Sequence, residues 1–194
     1  MSGNRELLQD VYAALANAWC SPQDVDREEV EGALRASLSR WETEDGEETA
    51  LLNRFLDSAI SEVDYVELFE LNPRCPLYLG SHSFEEPQTC AQGALSDRNG
   101  YMTELKGVYG HLGMSPNGRE LPDYLPLMVE FLALTAGSDD PIREKLLREY
   151  MLPYLPAMRT RLTEIKTPYA DLLDLLERVM RVDLEAHARV ASHA

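Results

Sequence analysis

Between Leu7 and Val182 the apolar residues of this chain recur every three or four positions, and no stretch alternates long enough to make a strand. That periodicity restricts the fold to helices packed on helices. Leu7, Leu8, Val11, Tyr12, Leu15 and Trp19 form the face of a first helix. Ser21-Pro22-Gln23-Asp24 reads as the start of a second, with a capping hydroxyl, a proline at the first helical position and a carboxylate at the third. Val30, Ala33, Leu34, Leu38 and Trp41 line it. After an acidic turn around Gly46, Leu51, Leu52, Phe55, Leu56 and Ile60 mark a third helix, and Tyr65, Val66, Leu68 and Phe69 a shorter fourth. From 72 to 93 the period lapses among three prolines, which predicts a long ordered loop. Tyr101, Met102, Leu105, Val108, Tyr109 and Leu112 resume it. Asp140-Pro141, Pro153 with Pro156, and Thr167-Pro168 each open a further helix, the last faced by Leu172, Leu175, Leu176 and Val179. The expectation is an all-α, single-domain bundle of roughly 8–10 helices over residues 1–186, without internal repeats. Residues 187–194 are expected to form a frayed tail.

At 194 residues the chain is long enough for one sizeable core and short for two. Its net charge of −16 is lopsided, because residues 1–72 carry 17 acidic side chains against 5 basic ones. Nucleic acid is excluded as a partner, since affinity for phosphates comes from Lys and Arg. A basic peptide or an electropositive protein surface suits that charge, and so does simple solubility. The polar start, Met1-Ser-Gly-Asn-Arg-Glu, lacks the apolar core of a signal peptide. No apolar run approaches the roughly 18 residues that insertion in a membrane requires. Three cysteines without metal-type spacing suit a reducing cytosol, so the expected location is cytoplasmic.

The segment Glu120-Leu-Pro-Asp-Tyr-Leu-Pro-Leu-Met-Val-Glu-Phe-Leu132 sets two prolines and three carboxylates on a helical pattern. Pro122 suits a first turn, where Asp123 meets the helix dipole, and Pro126 crowds that turn. Glu130 follows Asp123 by seven residues, so the two should share a face about two turns apart. Such a ridge fits a guanidinium or a helix N-terminus. Chemistry is poorly supported elsewhere. There is no Walker loop, nucleophile elbow or dinucleotide turn. Cys75, His82 and Cys90 stand seven and eight residues apart, which is not the spacing of a structural zinc site. His111 reads as a cation at a helix C-terminus. Tyr65, Phe69, Tyr78 and Tyr109 flank the loop as core aromatics, Phe69 firmly so. Glu67 and Glu70 lie on a solvated face.

Three blocks taken together, Asp64-Tyr65-Val66-Glu67-Leu68-Phe69, Cys75-Pro76-Leu77-Tyr78-Leu79 and Glu120 to Pro126 with Glu130-Phe131-Leu132, resemble the signatures of the TorD/NarJ family. These are maturation chaperones of molybdenum-containing oxidoreductases, and the third block is closer to the nitrate reductase delta subunit branch. The resemblance implies an all-helical chaperone that is not an enzyme and binds no cofactor stably. It would bind the N-terminal segment of an apo molybdoenzyme catalytic subunit until the molybdopterin cofactor is inserted. Cofactor-insertion machinery would be a further partner, and the protein itself a monomer or weak dimer. The client-binding positions implied are Tyr65, Glu67, Phe69, Tyr78, Pro122, Asp123, Tyr124 and Glu130. Tyr124 stands where much of the family has histidine. The loop Ser81–Gly93 lacks the glycine- and arginine-containing pattern of nitrate reductase chaperones, so the client is a nitrate reductase or a related molybdoenzyme. Two rivals stay open on the sequence: a permanent subunit of the mature reductase complex, and a metal-binding protein using Cys75, His82 and Cys90.

Overall fold

In the computed structural model, which describes residues 2–41, 46–58, 60–84, 96–116 and 118–191, helices account for all the regular structure apart from one isolated bridge. The helices are α1 (Ser2–Ala18), α2 (Arg27–Ser39), α3 (Glu47–Leu56), α4 (Glu62–Phe69), α5 (Asp97–His111), α6 (Leu125–Leu134), α7 (Pro141–Lys145), α8 (Leu155–Ile165) and α9 (Tyr169–Ala191). A 3₁₀ turn spans Leu79–His82 and a π-helical segment Leu146–Met151. The all-α, single-core expectation therefore holds.

The middle of the molecule is α6, where only Leu127, Glu130 and Leu134 reach solvent. It lies along α1, whose Leu8, Val11, Tyr12 and Leu15 are buried at the predicted spacing. Helix α2 continues from α1 and leads to α3, which packs on the long α9. Trp19, Phe55, Tyr65, Phe69 and Tyr169 pack where α1, α3, α4 and α9 meet, mostly edge to face with Trp19 tilted on Tyr169, and the Phe69 and Tyr169 centroids are 4.7 Å apart. Such pairs contribute about 0.5–1.5 kcal/mol each beyond area burial.

A fully buried ion pair ties the far ends of the chain together. Arg143 of α7 meets Asp183 of α9 at 2.8 Å, and both side chains are inaccessible to solvent. The Tyr12 hydroxyl of α1 donates to Asp183 at 2.9 Å, and Arg143 also donates to the Leu132 carbonyl at 3.4 Å. Burial, and then the charge of Asp183, hold the Tyr12 hydroxyl well above the usual phenol range.

Helix starts correct the sequence reading in two places. Helix α2 begins at Arg27 with Asp26 as its cap, accepting from the amides of Glu28 and Glu29, while Ser21 to Asp24 form a turn. Helix α6 begins at Leu125 with Tyr124 at the cap and Pro126 in the first turn, so Pro122 and Asp123 precede the helix. At Asp140-Pro141 cap and proline stand as predicted. The last helix runs on to Ala191, through part of the expected tail. Of the loop expected over 72–93, residues 85–93 lie outside the described residues.

Candidate functional site

Two extended peptides meet in front of α4 and α6. The Leu79 amide donates to the Asp123 carbonyl at 3.0 Å, and the Leu125 amide donates to the Leu77 carbonyl at 2.8 Å. This is one rung of antiparallel ladder, pairing Tyr78 with Tyr124. It sets the two rings side by side, 5.4 Å between centroids and half-buried. The Tyr78 hydroxyl donates to Glu120 at 2.6 Å. Burial, followed by Glu120, raises its pKa.

Asp123 locks this rung from beneath. Its side chain is completely buried, accepting from the Gly80 amide at 3.1 Å and from Arg98 at 3.4 Å. Asp123 Oδ1 and Arg98 Nε have no hydrogen-bond partner among the described residues. Gly80 must be glycine here, since a Cβ would come within 2.8 Å of Asp123 Oδ2 and 3.3 Å of the Tyr101 ring. The Tyr109 hydroxyl fixes the preceding turn by donating to the Pro122 carbonyl at 2.7 Å.

Acidic groups surround the tyrosine pair. The Tyr124 hydroxyl is pushed up to about 12 by burial first, then by Glu120, Cys20 and Glu70. The Cys20 thiol is raised by burial, then by Asp24 and Glu130. Glu70, Glu120 and Glu130 therefore converge on one area that also includes the end of α1. Exposed Glu67 lies on α4, three residues before Glu70. Two apolar side chains stand out in water beside these carboxylates: Leu71, next to Glu70, is 74% exposed and Leu121, next to Glu120, 44%. Behind Cys20 a small apolar cavity of about 50 Å³ opens between α1, α2 and α3, walled by Val25, Val30, Phe55 and Tyr169.

The predicted site residues thus divide by depth. Tyr78, Tyr124, Glu67 and Glu130 reach the surface. Tyr65, Phe69, Pro122 and Asp123 lie underneath as scaffold, and the Tyr65 hydroxyl donates to the Trp19 carbonyl at 2.9 Å. Asp123 and Glu130 do not form an exposed ridge, because Asp123 turns inward ahead of the helix. Leu71, Leu121, Gly80 and Arg98 were not legible as site residues. The one available signal was Leu71 standing just before Asn72-Pro73, where an apolar residue falls past the helix end.

The remaining chemical candidates have local structural roles. Cys75 is fully buried, and burial pushes its thiol up to about 12. His82 Nε2 donates to the Pro76 carbonyl at 2.7 Å, and Cys90 lies outside the described residues. Among the described residues no group of three or more His, Cys, Asp or Glu is placed to hold a metal ion. His111 meets Asp140 at 2.8 Å. No helix among the described residues is long and apolar enough to cross a membrane.

A family model described as nitrate reductase delta subunit matches residues 38–174, which include the whole tyrosine rung. The chain is 30% identical over 133 residues to the nitrate reductase molybdenum cofactor assembly chaperone NarJ of Escherichia coli K12, covering 68% of this chain and 50% of that protein. It is 31% identical over 115 residues to the probable chaperone NarW of the same strain, covering 59% and 45%. Similarity to the nitrate reductase-like protein NarX of Mycobacterium tuberculosis H37Rv is 30% over 117 residues, 60% of this chain but 16% of that one. The chain spans about half the length of the curated chaperones it matches.

Proposed function

The chain belongs to the nitrate reductase delta subunit family, and from that premise we propose that it is a cytoplasmic chaperone for a molybdoenzyme of the nitrate reductase type. It holds the N-terminal segment of the apo catalytic subunit while the molybdenum cofactor is inserted, and it performs no chemistry itself. One observation carries the reading: the Tyr78–Tyr124 rung presents a half-buried aromatic pair on which Glu120 and Glu70 bear, and exposed Leu71 and Leu121 follow those two carboxylates in the chain. A segment mixing basic and apolar residues complements that surface, and the small apolar cavity behind Cys20 offers a further apolar contact. The carboxylates would speed encounter, and the apolar contacts would set residence time.

Titration calorimetry with the N-terminal peptide of the client subunit tests this. Leu71→Ser combined with Glu120→Gln and Glu130→Gln should weaken binding about tenfold or more. Raising the salt from about 50 to 500 mM should slow association more than it speeds release. Equal binding by the variant would refute the site, and no binding by the unaltered chain would refute the function.

The likeness to a small part of the much longer NarX favours a second reading, that of a permanent reductase subunit. Stoichiometric presence of the chain in purified, cofactor-loaded reductase would establish that reading in place of the first.

A further inference from the structure

A second acidic and aromatic surface is built around Tyr101, which, like Asp123, borders Gly80. Between the first half of α5 and the π-helical segment runs an open trough of about 610 Å³. Its floor is aromatic. Phe84, Tyr101 and Tyr154 pack together with centroids 4.5–5.6 Å apart, and Phe84 and Tyr154 keep part of their surface in water. Its rim carries Asp97, Glu104 and Glu149. The Tyr150 hydroxyl holds Glu104 in place at 2.7 Å, while the Tyr101 hydroxyl donates to the Tyr150 carbonyl of the π-helical segment at 2.7 Å. Such wide turns interrupt α-helices mostly where a site is built. Lys145 already sets its ammonium over the Tyr150 ring, 5.5 Å from the centroid, and approaches Glu149 at 3.7 Å. One lysine against three carboxylates leaves the trough negative.

We propose that this trough binds an arginine-bearing segment of a partner protein, at a site separate from the Tyr78–Tyr124 surface. A guanidinium suits it for two reasons. Its flat face stacks on an aromatic ring, and its edge pairs in plane with a carboxylate. Glu104 and Glu149 supply the charge, with Phe84 and Tyr154 as the stacking faces. Residues 85–95, which join Phe84 to Ser96 in the chain, bring two glutamates and no lysine or arginine.

The probe is an acetylated, amidated Gly-Arg-Gly-Arg-Gly peptide, followed by NMR on the full chain at about 150 mM salt, where distant charges are screened. Its uncharged twin carries citrulline in place of arginine. The arginine peptide should shift the amides of Gly100, Tyr101 and Glu149, and the citrulline peptide should bind at least about tenfold more weakly. Glu104→Gln with Glu149→Gln should cost a similar factor. Glutamine keeps an acceptor for the Tyr150 hydroxyl, and circular dichroism would verify the fold. Glu28→Gln, exposed on α2 and part of neither surface, should leave binding unchanged. Equal affinity for both peptides, or shifts confined to Tyr78 and Tyr124, would overturn the proposal. So would binding that appears only after residues 85–95 are replaced by a Gly-Ser linker, which would make the chain itself the occupant. Each of these results leaves the client-binding surface to its own test.

Discussion

Gly80 and Asp123 fix each other's identity. The glycine amide needs the carboxylate, and the carboxylate leaves no room for a side chain on the glycine. Gly80→Ala should lower stability by about 1–3 kcal/mol, the usual range for overpacking, here against the buried Asp123 and Tyr101 side chains. Urea unfolding would measure it, and an unchanged midpoint would contradict the close packing at Asp123. Nearby, His82 supplies a pH dependence. Burial lowers its pKa, Arg161 and Arg98 lower it further, and the Pro76 carbonyl opposes them. The unfolded chain therefore takes up this proton more readily than the folded one. The contribution is complete above the unfolded value near 6.5 and is lost as the pH falls below it, until the lower folded value is passed. His82→Asn should flatten this part of the profile, read as the difference between two sets of urea midpoints across about pH 5–8.

Among the elements, Arg143 and Asp183 hold four helices to one point. Removing either partner should destabilise the fold by about 3–5 kcal/mol, because the other charge stays buried alone. Arg143→Met together with Asp183→Leu should cost less than the sum of the two single changes. A double-mutant cycle by urea unfolding measures the difference, and strict additivity would refute the coupling. This pair was invisible in the sequence, where each residue looks like any other charge on a helix. What could be read was local. The faces of α1, α3 and α9 follow from apolar spacing, and the start at Asp140-Pro141 follows from cap chemistry within a few residues. Where the reading failed, a distant partner had taken the group. Asp123 looked like a first-turn carboxylate, but Gly80 and Arg98 draw it inward. The aromatic set around the site was legible for the same local reason that its division was not. The rung between Leu77–Leu79 and Asp123–Leu125 decides which rings reach solvent, and no period in either segment announces it.

For the whole molecule, the excess of negative charge in residues 1–72 and the acidic rims of both surfaces are consistent with basic partners. The two surfaces share one pinned glycine: Asp123, next to Tyr124, and Tyr101, in the trough floor, both border Gly80. The buried charge pair has a further consequence during synthesis. Tyr12 and Asp183 are separated by 171 residues, which is roughly 10–30 s of translation. Until Asp183 emerges, Arg143 lacks its counter-ion, and enclosing it between α1 and α6 is unfavourable. The nascent chain is thus held open until α9 has been made through most of its length. A product cut short before Asp183 keeps that penalty for good, so an incomplete chain stays exposed to proteolysis and should be cleared.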